Sequence, residues 1–307
     1  LLKQSRTIMP KLIIVDWGTS NFRAQVLNEK LEVVHSLSSN EGMLQVQKNE
    51  FHSYLINILK DYLEEDSIII MSGMVGSMNG WIETPYVHCD ASLSLLSKEL
   101  LKIPNIKENI YIVPGVKSLK NKKIDLMRGE EVQVFGALKL LNKKNAMFIL
   151  PGTHSKWVEV KEEMIIDFNT NMTGEVFNLL SSKSLLAKSI SSHVINKGTF
   201  KKGLELSFTN TGLLNQIFQA RAQGSILGEH NVYSFLSGII IGNEIKEMNK
   251  VYNCKEVIIV GSSSLNDLYT QALDFYKIKI QSVDAGLASQ ESMKILYKEI
   301  KNARNVI

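Results

Sequence analysis

The 307 residues, 44% of them hydrophobic and 21% charged, have the balance of a soluble globular protein with room for two medium domains. A net charge of +4 spread over scattered lysines argues against a nucleic-acid partner, and Cys89 and Cys254 stand too far apart, in no ligand spacing, for a disulfide or zinc framework. Leu1 to Ile8 are too polar and basic for a signal peptide and read as a leader before Met9; no stretch is apolar enough to span a bilayer, so a cytoplasmic protein with no membrane partner is expected.

In chain order, the apolar run Leu12 to Val15 predicts a short buried strand, closed by Asp16-Trp17-Gly18-Thr19-Ser20-Asn21-Phe22-Arg23. Phe22, Ala24 and Val26 alternate with polar residues as a second, half-buried strand, and Asn28-Glu29-Lys30 turns into a third from Leu31 to Leu37. The polar turn after the first strand sets small donors and one carboxylate where an anion with its metal could sit. Phe51 to Leu63 has helical spacing, and Ser67 to Met71 is another buried strand, leaving through Ser72-Gly73-Met74-Val75-Gly76-Ser77. Asn79-Gly80-Trp81 and Thr84-Pro85-Tyr86 follow. A helix is expected from Ser92 to Leu101 and a strand from Ile110 to Val113, which Pro114-Gly115 stops. Arg128-Gly129-Glu130-Glu131 then opens an amphipathic helix carrying Val132, Phe135, Leu138 and Leu141, and a polar turn over Asn142 to Asn145 marks a domain boundary.

The first design then returns. Met147 to Leu150 is a strand, Pro151-Gly152-Thr153-His154-Ser155-Lys156 a turn, Trp157 to Val160 a second strand, and Met164 to Phe168 a third beyond the Lys161 to Glu163 hairpin. Gly18-Thr19 superposes on Gly152-Thr153 with both hairpins in register, which predicts two related lobes, 9–142 and 143–307, facing across a cleft. Asn169 to Glu175 lead into a mostly helical region from Val176 to Asn249, with Phe235 to Ile241 its most apolar stretch. Glu256 to Val260 is a strand broken at Gly261-Ser262-Ser263-Ser264, followed by a helix (Leu265 to Tyr276), a strand (Ile278 to Val283) and a closing helix (Ala285 to Lys301). Neither GxGxxG nor GxxxxGK[ST] occurs, so neither a dinucleotide fold nor a P-loop is signalled.

Facing turns of this kind suit phosphoryl transfer, which needs donors around the phosphates, a carboxylate near Mg2+ and a group to accept the alcohol proton. Asp16 is the candidate for metal-associated water, Gly18, Thr19, Ser20 and Asn21 line the first turn, and Arg23 is a fixed cation. The second turn offers Gly152 and Thr153 by their backbone, with Ser155 and Lys156 beside them. Glu130 and Glu131 are both candidates for the base, and either could instead complement the helix dipole; Asp125 and Asp167 are weaker candidates. His35, His52, His193 and His230 read as surface or core residues, while His88 and His154 fall inside informative stretches.

The ordered set Asp16-Trp17-Gly18, Met71 to Ser77, Met127 to Glu131, Pro151 to Trp157, Asp167-Phe168, Met172 to Glu175, Phe235 to Gly238 and Gly261 to Leu265 resembles the 2-dehydro-3-deoxygalactonokinases over nearly the whole chain after Met9. These are bacterial sugar-acid kinases of the actin/hexokinase/Hsp70 ATPase superfamily. The resemblance implies a two-lobed α/β, actin-like (ribonuclease H-like) fold of duplicated mixed sheets flanked by helices. It also implies ATP and Mg2+ as cofactors, and phosphorylation of the 6-hydroxyl of 2-dehydro-3-deoxy-D-galactonate in galactonate breakdown. It makes Gly261, Ser262 and Ser263 the adenosine loop and sets Glu130 at the place of the base, Glu131 remaining open. Ser72, Gly73, Gly76, Asn79, Trp81 and Arg128 become candidates for the sugar acid, Arg128 as a guanidinium for its carboxylate or as an ion-pair partner of Glu130 or Glu131. Whether the chain forms a homo-oligomer is left open. The competing readings are a kinase for another sugar, an ATP-binding sugar sensor and an actin-like filament protein.

Overall fold

The computed structural model describes residues 11–120, 122–227 and 231–304, so the readings of Leu1 to Ile8, Met9 and His230 lie outside the described residues. The chain opens with β1 (Leu12–Trp17), β2 (Phe22–Leu27), β3 (Val33–Ser39), α1 (Phe51–Leu59) and β4 (Ile68–Ser72). Shorter pieces follow: β5 (Tyr86–His88), β6 (Ala91–Ser92), α2 (Leu93–Lys98), β7 (Leu101–Lys102), β8 (Asn109–Ile112), β9 (Gly115–Ser118) and β10 (Asp125–Met127). Then come α3 (Glu130–Leu141), β11 (Ala146–Leu150), β12 (Ser155–Lys161), β13 (Met164–Asn171), α4 (Thr173–Ser182), α5 (Lys197–Ser207), α6 (Leu213–Leu227) and α7 (Val232–Tyr252). The last elements are β14 (Glu256–Gly261), α8 (Ser263–Phe275), β15 (Lys279–Asp284) and α9 (Ala285–Arg304).

The chain packs as two units. The first runs up to Lys144 and regains Lys161–Asp167 and the chain from Gly286 onward; the second comprises Asn145–Val160 and Phe168–Ala285. The first long segment therefore ends in the expected polar turn, but the division differs from 9–142 and 143–307 in returning two later pieces to the first unit. The physical reason for the second return is apolar: Met293, Leu296, Tyr297 and Ile300 of α9 pack on Leu12, Ile14 and Val132.

In the first unit a six-stranded sheet runs β3-β2-β1-β4-β8-β7. β1 is antiparallel to β2 and parallel to β4, and β4 is parallel to β8. Ile13, Val15 and Trp17 face one core with Phe51, Leu55 and Leu59 of α1, while Leu12 and Ile14 face the other with α9. Burial on both faces is why the strand reads as an unbroken apolar run. A three-stranded sheet, β10-β9-β5, was not foreseen, its strands being too short to show a period. β3 starts at Val33 rather than Leu31 because Asn28 Oδ1 accepts from the Lys30 and Glu32 amides and lengthens the turn, leaving Leu31 at φ 59°. The helix expected to Leu63 ends at Leu59 in a 3-10 turn, and that expected over Ser92 to Leu101 shortens to Leu93–Lys98, with Ser92 accepting from the Leu95 amide as its N-cap.

In the second unit the strand order is β15-β14-β11-β12-β13, with β14 parallel to both β11 and β15. The first residues of β13 belong to the first unit, where Met164 and Ile165 pair with Ser92 and Ala91 of β6. Ile149, Trp157, Val257 and Ile259 make a core with α5, α7 and α8. Helices α5 and α7 meet at Gly203 and Gly238, where a Cβ on Gly238 would run into the Phe200 carbonyl and stand 3.1 Å from the Gly203 Cα. Replacing Gly238→Ala is therefore expected to destabilise this unit by about 1–3 kcal/mol through overpacking, read as a lowered melting temperature.

Candidate active site

In the first unit the site begins with Trp17. Its indole is fully buried against Phe22, Phe51 and Tyr54, with ring centroids 5.1, 5.1 and 5.4 Å away, and its N–H donates to the Glu41 carbonyl at 3.3 Å. That anchor fixes the turn that follows. The Gly18 amide donates to Asn21 O, and the Met43 and Leu44 amides donate to the carbonyls of Gly18 and Thr19. Gly42 lies so close to Thr19 and Ser20 that a Cβ there would overlap their backbone, a contact the sequence reading did not find. Thr19, Ser20 and Asn21 remain exposed.

Asp16 pairs across the sheet with Arg23 on one side and Ser72 on the other. Its carboxylate is 3.7 Å from the Arg23 guanidinium, an open ion pair of small energetic weight. Although the side chain keeps 42% of its surface, the crowded strand ends around it desolvate the carboxyl and raise its pKa. Arg23 opposes that rise and the charge of Glu130 adds to it. Gly73 leaves β4 at φ +94°, and a Cβ there would sit 2.9 Å from the Trp17 carbonyl and 3.2 Å from Asp16 Oδ1. Gly129, at φ +105°, comes up against Gly73, with the Gly73 Cα 3.2 Å from where its own Cβ would stand. Only glycine combines that backbone with that proximity. The ends of β1 and β4 and the start of α3 thus converge around Asp16, and the sequence reading missed the part played by Gly129.

The two adjacent glutamates of α3 separate by environment. Glu131 is fully buried, and both its oxygens accept from the Gly129 amide, at 2.9 and 2.7 Å. Burial pushes its pKa up to about 8; the neighbouring Glu130 charge adds to this, while the amide hydrogen bonds and Arg128 oppose it. Glu130 is half-buried, and its carboxylate accepts from the Arg128 amide at 3.1 Å. Of the two, Glu130 is the one open to solvent.

The sugar-acid candidates divide. Ser72, Gly73 and Gly76 are buried and Asn79 is exposed. Trp81 is half-buried, stacked at 6.3 Å on Phe51 and packed into the core, so its ring serves packing. Arg128 is buried: its guanidinium donates to the Thr84 carbonyl at 2.9 Å, to the Thr84 hydroxyl and to Tyr86 OH, and lies 4.2 Å over the Tyr86 ring. Its group ties the Thr84–Tyr86 segment to α3. Asp167 is ion-paired with Lys123 at 2.9 Å and accepts from Ser118, and Asp125 accepts from the Leu126 amide. Among the histidines, His35 stacks on Tyr62, His52 bonds Glu108, and His88 is exposed on β5.

In the second unit β12 starts at Ser155, two residues before the expected strand, so Ser155 and Lys156 are buried strand residues rather than turn residues. Ser155 donates to Glu244 at 2.7 Å, and the Lys156 ammonium donates to the His154 carbonyl at 3.1 Å. The start of α4 seats on the turn: a Cβ on Gly174 would overlap the Gly152 carbonyl, and the Glu175 amide donates to Thr153 O at 2.9 Å. His154 and Glu175 meet at 2.5 Å beside it. A Cβ on Gly152 would meet nothing within 4 Å. Gly152 opens onto a cavity of about 260 Å³ walled by Gly174, Tyr233, His193, Ser264 and Leu265. His193, read from sequence as surface or core, lines this cavity edge-on to Tyr233 with centroids 5.1 Å apart. Gly261 closes β14; Ser262 and Ser263 are exposed at the start of α8, which begins at Ser263 rather than Leu265.

Because the folded pKa of Glu131 lies above the ordinary 4.5, the folded state binds the extra proton between the two values. The stabilisation is therefore complete below about 4.5 and is lost as the pH rises toward about 8. Unfolding of the wild type should show this decline, at most about 1.4 kcal/mol per pH unit, and Glu131→Gln should flatten it.

The chain matches the model of the 2-keto-3-deoxy-galactonokinase family over residues 16–295. It is 31% identical to the 2-dehydro-3-deoxygalactonokinase of Escherichia coli (strain K12) over 95% of this chain and 99% of that protein. A crystal structure of a putative 2-dehydro-3-deoxygalactonokinase from Sinorhizobium meliloti superposes with a TM-score of 0.88 at 30% identity, covering 94% of this chain and 96% of the other. The ADPNP-bound activator of 2-hydroxyisocaproyl-CoA dehydratase from Clostridium difficile superposes at 0.57 with 11% identity, covering 96% and 97%, a likeness of fold alone. The fold is the actin-like ATPase fold expected from the sequence. The chain belongs to the 2-keto-3-deoxy-galactonokinase family, sugar-acid kinases that transfer phosphate to an alcohol group.

Proposed function

We propose that the chain transfers the γ-phosphoryl group of MgATP to the 6-hydroxyl of 2-dehydro-3-deoxy-D-galactonate, in the cytoplasm, as a step of galactonate breakdown. The observation that carries this reading is the reachable carboxylate of Glu130, whose charge acts on Asp16 where β1, β4 and α3 converge. Its nearest competitor, Glu131, is sealed. The terminal hydroxyl oxygen attacks the γ-phosphorus, its proton passes to Glu130, and the bond from phosphorus to the bridging oxygen breaks to leave ADP. The exposed Thr19, Ser20 and Asn21, with Gly18 and Arg23, supply donors and positive charge for the phosphates in the first unit. Gly152 and Thr153 supply backbone in the second, and the cavity beside Gly152 takes the nucleoside; Ser264 and Leu265, just after Gly261, Ser262 and Ser263, line it.

Among the described residues no group of three His, Cys, Asp or Glu side chains could hold a metal. Mg2+ arrives with the nucleotide in this reading, since this ion prefers one or two carboxylates, water and phosphate oxygens to an all-protein cage. Asp16 is the carboxylate that would hold it, through water, and the ion would neutralise charge on the β- and γ-phosphates. Ser72, Gly73, Gly76 and Asn79 border the acceptor; Arg128 shapes its wall by holding Thr84 and Tyr86. No described helix is long and apolar enough to cross a membrane.

Coupled ADP release with MgATP tests the proposal against 2-dehydro-3-deoxy-galactonate, its gluconate epimer, galactose and N-acetylglucosamine. Turnover confined to the galactonate derivative is expected. Turnover on another acceptor would move the substrate, and acceptor-independent ADP release would favour a filament-type ATPase. Glu130→Gln should bind ADP normally and lose about 10²–10⁴-fold in turnover; near-normal turnover would remove Glu130 from the role of base.

A further inference from the structure

Glu244, midway along α7, is a buried carboxylate that the reaction described above does not use. One oxygen accepts from Ser155 Oγ at 2.7 Å and from the Trp157 indole N–H at 2.8 Å. The other accepts from Tyr269 OH at 2.6 Å and from the Thr173 hydroxyl. Tyr269 OH also lies 3.4 Å from Ser155 Oγ. Ser155 and Trp157 belong to β12, Thr173 is the first residue of α4, and Tyr269 lies on α8. One side chain thus ties three elements to a fourth.

Two of those elements, α4 and α8, line the cavity beside Gly152 together with α7 itself, and β12 follows the turn that carries Gly152. Thr173 and Tyr269 line it directly, with Gly174, the second residue of α4, seated on the turn, and Ser264 and Leu265 at the head of α8. Glu244 is absent from that lining and acts only through the groups it holds. Taking a carboxylate out of water costs several kcal/mol in general, and apolar residues of similar volume are often no worse for stability. A buried carboxylate saturated with donors is therefore better explained by the geometry it imposes than by stabilisation. It also alters the part expected of Ser155: with its proton directed to Glu244, that hydroxyl is not a donor to a phosphate.

We infer that Glu244 is a positioning residue for the nucleotide, holding the second phosphate turn, the start of α4 and the α8 wall as one frame through Ser155, Thr173 and Tyr269. The inference rests on the proposed nucleotide site, and it assigns Glu244 no contact with either substrate. Gln at this position keeps the shape but turns an amide donor toward two groups that now donate. The Trp157 N–H, which can only donate, still requires an acceptor.

The test is ADP binding by calorimetry, with KM for ATP and for the sugar acid, on wild type, Glu244→Gln and Tyr269→Phe, each checked for folding by its melting transition. Expected for Glu244→Gln is a folded protein whose ADP dissociation constant and KM for ATP rise about 10–100-fold, the loss of a charged hydrogen bond, with KM for the sugar acid unmoved. Tyr269→Phe should shift the same two constants in the same direction by less, and it decides the matter if Glu244→Gln does not fold. Folded variants with wild-type ADP affinity would overturn the inference and leave the kinase reading standing. A wild-type protein that binds no ADP would overturn both.

Discussion

The first unit depends on a close approach of backbones. Asp16 can stand at the end of β1, within the field of a half-buried glutamate, only because no side chain fills the space between β1, β4 and α3. Gly73 and Gly129 keep that space by having no Cβ, and each adopts a positive φ that an L side chain rarely takes. The cost of that arrangement is met by the core beneath it. Trp17, adjoining Asp16, is locked among three aromatic rings, and β1 is covered on both faces. A rigid strand end and a crowded glycine junction together give the carboxylate a fixed address.

The junction also explains how neighbouring glutamates take on different chemistry. Glu130 and Glu131 share one helix turn and one macrodipole, so the helix alone cannot distinguish them. Burial does. Glu131 turns inward, closes on the Gly129 amide and holds its proton to about pH 8, which reduces the repulsion it would otherwise exert on Glu130. Environments that push two carboxyls apart are a general route to distinct acid–base roles within one site.

What the sequence disclosed follows from the range of the interactions involved. β1, β4, β11 and β14 are short runs of branched apolar residues, and their local pattern suffices to identify them. The pairing of Gly18-Thr19 with Gly152-Thr153 was legible for the same reason. Ser155 and Lys156 were assigned to the turn because neither is a strand marker; their burial comes from pairing with β11 and from Glu244, contacts that no local pattern records. Glu244 lies just beyond the apolar stretch of α7 and carries no local signal, because its partners lie 25 to 89 positions away. Arg128 reads in sequence as a charge awaiting a charged partner; its field does reach Glu131, while its hydrogen bonds go to the uncharged Thr84 and Tyr86. Local pattern picks out the strands and turns, and contacts distant in sequence decide what their polar side chains touch.

The repeated strand–turn–strand design has diverged in what it exposes. In the first copy the turn residues Thr19, Ser20 and Asn21 face solvent, while the fixed element behind them is a glycine junction. In the second copy Thr153 and His154, the counterparts of Thr19 and Ser20, are exposed as well, whereas Ser155, the counterpart of Asn21, is drawn inward onto Glu244, and the backbone at Gly152 faces open space. Exposed hydroxyls, an amide and a carboxylate suit a partner carrying a hydrated cation, which exchanges ligands. Backbone held from behind by a saturated carboxylate suits an anion that must be gripped in one orientation, because main-chain donors do not rotate away as side chains do. The two copies of one local fold therefore differ in where a polar side chain of the turn is placed, exposed at Asn21 and buried at Ser155.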